Sequence, residues 1–190
     1  MPKSVLRILR GDREILASLS ELQALTGAAY APFLHFCDPK PLRVPKQPTR
    51  EEVWLGQYFR SELLSSALPP VSLRWISDRI GWGVFAERDL KPMEFIAEYA
   101  GIVRPRRSSD RGNAYCFEYF PSPYVIDAAE QGSLSRYINH SETPNLQPAR
   151  VILDNVWHII LYTATCIPKN QELCYHYGPD YWKYRRIGSG

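Results

Sequence analysis

A chain of 190 residues has room for one domain, or one domain with an extension. At this size about 70% of the unfolded surface is buried on folding, so no disulfide or metal staple is required, and 45% hydrophobic with 23% charged residues are ordinary globular values. A net charge of +3 lacks the dense basic stripe of a nucleic-acid binder, and the chain has no apolar run long enough to span a membrane.

Met1 to Gly11 alternates basic and apolar residues and lacks the apolar stretch of a signal peptide. Asp12 reads as the cap of a helix running to Thr26, with Ile15, Leu16, Leu19, Leu22 and Leu25 on one face and Gly27 as its stop. A link punctuated by Pro39, Pro41, Pro45 and Pro48 follows, where a regular element is not expected. Thr49 and Glu52 form a capping box that opens a second helix. Its apolar face carries Val53, Trp54, Leu55, Tyr58, Phe59, Leu63 and Leu64, and Pro69-Pro70 ends it. Amphipathic helices of this kind must pack on something, either the downstream body or a second copy of the chain. His35, between Phe33 and Phe36, reads as a packed structural histidine.

From Val71 onward the pattern changes to short strands. Ser72 to Ile76 alternates; Gly83 to Ala86, Phe95 to Tyr99, Ala114 to Tyr119 and Tyr124 to Asp127 are short apolar runs. Val151 to Leu153 and Trp157 to Ala164 flank Asp154-Asn155, a hairpin turn. Pro92, Gly101, Pro105, Pro121 and Pro168 punctuate these runs. No strand precedes a long amphipathic helix, so βαβ winding is excluded. The expectation is a mainly β protein of several small antiparallel sheets, with a helical turn near Ala128 to Tyr137.

Four segments carry candidate chemistry. Gly81-Trp82-Gly83 allows close backbone approach beside a large ring. Glu98-Tyr99-Ala100-Gly101 is a strand end and a turn. Ser135 to Asn145 has no helical or strand period, and its small polar residues either satisfy their own backbone or bind a ligand. Tyr175-His176-Tyr177 places two tyrosines on one strand face, either as packing or, with Tyr99 and Tyr115, as the lining of an aromatic channel. The four cysteines, Cys37, Cys116, Cys166 and Cys174, form no CxxC pair and read as reduced, as in an intracellular protein. Cys174 and His176 lack a second ligand pair at zinc spacing, so no metal site is expected. Ser133, Ser135 and Ser141 near His140 lack a nucleophile elbow, which argues against a hydrolase.

Taken in order, these segments resemble a SET domain, the fold of protein lysine methyltransferases, over residues 71–182. Gly81 to Ala86 resembles the family's opening motif and Glu98 to Gly101 its second. Arg136 to Ser141 with Pro144-Asn145 resembles the third, and Glu172 to Gly178 the fourth. The resemblance implies a β-clip fold whose last two segments form a pseudoknot, behind an α-helical N-terminal extension over 1–70 and before a short tail over 183–190. Members with a zinc-binding tail carry cysteine after Asn-His-Ser and three more beyond the fourth motif. Here Glu142 holds the first position and no cysteine follows Cys174. The chain is in this respect similar to short zinc-free SET proteins of chlamydia-like bacteria and large DNA viruses, with Tyr181, Trp182 and Tyr184 left to close the channel.

The resemblance implies S-adenosylmethionine as cofactor, no metal, and a lysine-bearing protein substrate, histone or histone-like. Tyr177 would be the catalytic tyrosine, Tyr99 and Tyr115 would line the lysine channel, and Tyr175 would set how many methyls are accepted. Asn139 and the backbone of His140 would hold the cofactor. Gly81, Trp82, Gly83, Tyr115, Arg136, Tyr137 and Tyr181 would complete its pocket. Asp127, Glu130 or Glu118 would provide an acidic groove for a basic tail. A SET fold that has lost turnover and serves as an interaction scaffold, or an enzyme acting on a non-histone protein, are the competing readings. Localisation would be intracellular and soluble, in the cytoplasm or, for a secreted bacterial effector, a host nucleus. No membrane or direct nucleic-acid contact is expected, and a homodimer through the N-terminal helices is one way to cover their apolar faces.

Overall fold

The computed structural model describes residues 5–43, 46–65, 68–120 and 122–178. Val5–Arg10 (β1) and Arg13–Ser18 (β2) form an antiparallel hairpin that turns at Gly11, where φ is +58°. The helix expected over 12–26 is therefore replaced: only Leu22–Thr26 (α1) is helical, with Gly27 at φ +83° as its stop. The cause is a distant partner. β1 lies parallel to the strand at Val71–Ser77 and buries Leu6 and Ile8, a period-two pattern that overrides local helical spacing. Ile15 and Leu16, assigned to a buried helix face, are 44% and 66% exposed.

Ala29–Tyr30 (β3) and His35–Phe36 (β4) follow. The proline-punctuated link contains one helical turn, Lys40–Arg43 (α2), with Pro41 in its first turn where a missing N–H breaks no helical bond. The capping box forms as expected: Glu52 N donates to Thr49 Oγ1 at 3.2 Å and Thr49 N donates to Glu52 Oε2 at 2.7 Å. It opens Arg50–Tyr58 (α3), continued by Arg60–Leu63 (α4). Leu55, Phe59 and Leu63 pack on Val151, Leu153 and Ile160, so this part of the apolar face is buried on the body of the same chain. Val53, Trp54, Tyr58 and Leu64 stay exposed. With the first helix gone, a dimer through paired N-terminal helices loses half of its premise.

The body comprises Val71–Ser77 (β5), Gly81–Ala86 (β6), Phe95–Glu98 (β7) and Ile102–Pro105 (β8). After a 3-10 turn come Cys116–Tyr119 (β9), Tyr124–Asp127 (β10) and Gln131–Gly132 (β11). A second 3-10 turn, Leu134–Tyr137, precedes Asn139–His140 (β12), Leu146–Leu153 (β13), Val156–Thr163 (β14) and Cys174–Tyr175 (β15). Asp154 and Asn155, at φ +47° and +64°, make the β13–β14 turn, as the sequence indicates. The sheets run β2-β1-β5-β6, β4-β8-β10-β9 and β13-β14-β7, with two-stranded pairs β11-β3 and β12-β15. The architecture is the expected set of small sheets, and residues 5–36 are woven into three of them. Leu6, Ile8, Leu73, Val84, Leu134 and Leu173 share one core cluster with Tyr137 and Tyr175, which fixes those two site residues to the densest part of the molecule. Among the described residues no helix is long and apolar enough to cross a membrane.

A buried ion cluster ties β8 to the loop before β9. Arg104 donates to Asp110 Oδ1 at 2.6 Å and to Asp127 Oδ2 at 2.7 Å. Asp127 is thus taken up inside the fold and does not serve an acidic groove. Glu118 and Glu130 are exposed, Glu118 pairing with Arg106 at 2.8 Å. The Arg104 guanidinium, helped by the Arg107 N–H, holds the Asp110 carboxyl at about 2 against an ordinary 3.8. A depressed carboxylate stabilises fully above its unfolded value and loses that contribution as pH falls through the folded one. Asp110→Asn is therefore expected to melt below the parent at pH 6, with the difference vanishing between about pH 4 and pH 2. Melting curves whose separation is unchanged across that window would remove Asp110 from the acid response.

Candidate active site

The irregular segment 135–145 is held by its own side chains and by the chain's last described strand. β12 pairs parallel with β15, Asn139 against Cys174 and His140 against Tyr175. Beyond β12 the side chain of Asn145 continues the pairing. Its Oδ1 accepts from Cys174 N at 2.9 Å and its Nδ2 donates to Glu172 O at 2.8 Å. Ser141 Oγ accepts from Thr143 N at 3.0 Å, closing a local turn. Asn139 Nδ2 donates to Trp82 O at 3.2 Å and Glu172 Oε1 at 2.8 Å, so one amide joins three of the four segments singled out in the sequence. Gly83 permits this: a Cβ there would lie 2.9 Å from Glu172 Oε1 and 2.6 Å from Ile76 Cδ1.

A cavity of about 360 Å³ opens on this junction. It collects Gly81, Trp82, Arg136, Tyr137, Asn139 and Tyr177, from three of those segments, and Tyr115 from the loop before β9. Gly83 and His140 are outside its lining, and Tyr181, Trp182 and Tyr184 lie outside the described residues. Arg136 donates to Ala128 O at 2.7 Å and Ala129 O at 2.9 Å. Its guanidinium sits 4.4 Å from the Tyr115 ring centre and 4.7 Å from that of Tyr137, making it a fixed wall. Trp75 meets Trp82 edge-to-face at 5.3 Å. Thr26 Oγ1 and the Tyr137 hydroxyl are 2.6 Å apart. Thr26, Trp75 and Ile80 also line the cavity and were missed in the sequence. Trp75, on the strand before Gly-Trp-Gly, had a usable signal in that proximity; Thr26, brought in by the N-terminal segment, had none.

The tyrosines sit beside and behind this cavity. Tyr177 donates its hydroxyl proton to Ile138 O at 2.7 Å, and its backbone N–H goes to His140 Nδ1 at 3.2 Å. Its ring centre lies 4.7 Å from that of Tyr175, which is 5% exposed. Tyr99, 4% exposed, does not line the cavity; its hydroxyl donates to Tyr115 O at 3.0 Å. Phe117 packs on Tyr99 with ring centres 5.0 Å apart. It was also missed, although it stands two residues after Tyr115 and shares the face of Tyr119 in β9.

Among the described residues His140, Glu142 and His176 form the one group with ligand atoms close enough for a metal. Their hydrogen bonds are arranged otherwise. Both Nδ1 atoms accept backbone N–H groups, His140 from Tyr177 and His176 from Gly178 at 3.0 Å. A neutral ring that accepts at Nδ1 carries its proton on Nε2. Those Nε2 atoms face Glu142, at 3.0 Å and 3.5 Å. The hydrogen bond from His140 lowers the Glu142 carboxyl. The trio is a carboxylate flanked by two donors, on the backbone of Tyr177 and Gly178. Burial pushes the Cys174 thiol up to about 12, which leaves it protonated and a poor ligand.

The sequence profile of the SET domain matches residues 81–178. A Caenorhabditis elegans histone-lysine N-methyltransferase, set-2, is 34% identical over 106 residues, which is 51% of this chain and 7% of that protein. The Gallus gallus histone-lysine N-methyltransferase SUV39H2 is 33% identical over 111 residues, 51% of this chain and 27% of that one. The chain therefore corresponds to a small part of these relatives' length. Among solved structures, a chain of the Chaetomium thermophilum Polycomb Repressive Complex 2 in an autoinhibited conformation bound to S-adenosylmethionine superposes with TM-score 0.53. It is 26% identical, covering 62% of this chain and 16% of that one. KRYPTONITE, in complex with mCHH DNA, H3(1-15) peptide and SAH, gives TM-score 0.59 over 80% of this chain and 41% of that one. At 22% identity it is a likeness of fold.

Proposed function

This chain belongs to the SET-domain family, and from that membership we propose that it is an S-adenosylmethionine-dependent protein-lysine N-methyltransferase. The observation that carries the reading is the cavity of about 360 Å³ that joins Trp82, Arg136, Tyr137 and Asn139 to the ring of Tyr177. The volume is within the range of small-ligand sites. Aromatic faces from Trp82 and Tyr115 suit a flat base and a cation, and the Asn139 amide suits a polar chain, so the residues present fit the cofactor. When bound, S-adenosylmethionine supplies a methyl on a sulfonium for displacement by a neutral lysine amine.

A free lysine has a pKa of about 10.4, so the site must receive it neutral or help it lose its proton. Tyr177 and Tyr99 act as acceptors here. Each phenol donates its one proton to a carbonyl, of Ile138 and of Tyr115, so toward an amine or a polarised methyl its oxygen can serve only as an acceptor. Arg136, held by carbonyls and rings, and Tyr137, tied to Thr26, keep the cavity wall in place. The relatives' names support a histone or histone-like substrate. Incubation with labelled S-adenosylmethionine and a panel of basic proteins, the chain itself included, tests the reading. Transfer to a lysine is expected, and cofactor binding with no transfer would favour the scaffold instead. Binding by calorimetry is expected to be unchanged by a chelator; binding abolished by chelation would mean that a metal completes the site.

Product multiplicity depends on Tyr175, whose ring lies against Tyr177. A phenol at that place can hold a water or the amine itself. A methylated amine must put its methyl there to present its lone pair again, and expelling a well-held water costs up to about 2 kcal/mol. That slows the next transfer more than about tenfold. Mainly monomethyl product, with some dimethyl, is expected, and Tyr175→Phe should raise the multiplicity. Mass spectrometry of a methylated peptide decides; trimethylation by the unmodified protein would show that Tyr175 does not limit the space.

A further inference from the structure

A second cavity, of about 510 Å³, is framed by β9 and β13 and shares no lining residue with the first. Phe117, Tyr119 and Phe120 form one wall, Pro148 and Ala149 another, and Ile159 also lines it. Two of these residues reach Tyr99. The Phe117 ring packs on it, and Ile159 O accepts from Tyr99 N at 2.7 Å. The cavity therefore begins where the wall built on Tyr99 ends.

Its lining is mainly aromatic and aliphatic, with Glu52, Glu118, Ser122 and Arg150 as its other members. The Tyr119 hydroxyl already donates to Trp157 O at 3.1 Å. At the rim Glu52 holds Arg150 at 2.6 Å, and the guanidinium lies 4.9 Å from the Phe120 ring and 4.6 Å from Trp157. Arg150 and Glu52 pair with each other and Glu118 pairs with Arg106, so a charged group entering would lose water and gain little, whereas an aliphatic or aromatic side chain would bury apolar surface against the rings. Beside it β9 is the edge strand of its sheet, so an extended chain can lie along it. In such a chain residues two apart face the same side, about 7 Å from each other. Phe117 both packs on Tyr99 and lines this cavity.

We propose that this cavity receives an apolar side chain of the protein substrate, two residues from the target lysine. The proposal rests on the lysine-transfer reading above and names the substrate class of that reaction: a lysine with an aliphatic or aromatic neighbour at position −2 or +2.

The test uses the full chain, labelled S-adenosylmethionine and an oriented peptide library. Each peptide holds one lysine, and positions −3 to +3 are varied in turn. Leucine, methionine or phenylalanine at −2 or +2 should exceed glycine or aspartate by about tenfold in kcat/KM, with the other positions flat. Ala149→Trp, which fills the cavity, should reduce that preference to no more than about twofold while the glycine peptide reacts as before. Phe120→Ala, which removes a wall, should do the same and serves if the first variant does not fold. Transfer with no preference at either position, or a preference that survives both variants, overturns the pocket and leaves lysine transfer standing. No transfer to any peptide or to core histones, with the cofactor bound, overturns the lysine-transfer reading and this one with it.

Discussion

Tyr177→Phe is expected to lower kcat about a hundredfold or more while cofactor affinity and melting temperature stay close to the parent's. The substitution removes one oxygen and keeps the ring, so the contacts with Tyr175 and His140 persist. What is lost is the bond to Ile138 O and, on the proposed reading, the acceptor oxygen that orients the reacting amine. Ile138 O then loses a donor, a cost of about 1 kcal/mol to stability. The larger loss is positional: a reacting atom displaced by about 1 Å costs of the order of 10² in rate. Single-turnover transfer, calorimetry with S-adenosylmethionine and a thermal melt on the same preparation separate the three quantities. A variant that keeps more than half the parent's rate would place Tyr177 outside the chemistry.

Elements built from neighbours in the chain were readable. The capping box at Thr49 and Glu52 and the hairpin turn at Asp154-Asn155 need only local geometry, and both form. The segments around Asn139 and Tyr177 were legible because an irregular polar stretch demands partners, and those partners were the other unusual stretches. Elements whose identity depends on a remote strand were not readable. Residues 12–26 carry a helical spacing of leucines, yet the pairing of β1 with β5 makes a hairpin of their first half. The same long reach hid Thr26 from any reading of the site. It also hid the fate of Asp127, which the sequence offers as a surface acid and the fold uses to bind Arg104. Charge alone does not say whether a carboxylate faces water or an arginine 23 residues away.

Gly101→Ala is expected to destabilise the protein by about 3 kcal/mol, lowering the melting temperature by roughly 6–12 °C for a chain of this size. Gly101 does not need a positive φ. Its constraint is closeness: a Cβ would lie 2.5 Å from Asp127 O, 2.9 Å from Asp127 C and 3.1 Å from Ala128 Cα. All three are backbone atoms at the end of β10, which cannot rotate away as a side chain can. Relief requires that the end of β10 move. Asp127 anchors Arg104 there, and the Ala128 carbonyl anchors Arg136 on the cavity wall. A shift would therefore weaken cofactor binding as well as stability, although Gly101 lines neither cavity. Gly27→Ala is the control, since its φ is +83° and a Cβ would meet nothing within 4 Å. It should cost only the backbone term, about 1–2 kcal/mol, and leave affinity unchanged. A Gly101→Ala protein that melts within about 2 °C of the parent and binds S-adenosylmethionine equally would show that β10 yields, and that the approach of Gly101 to it does not position the wall.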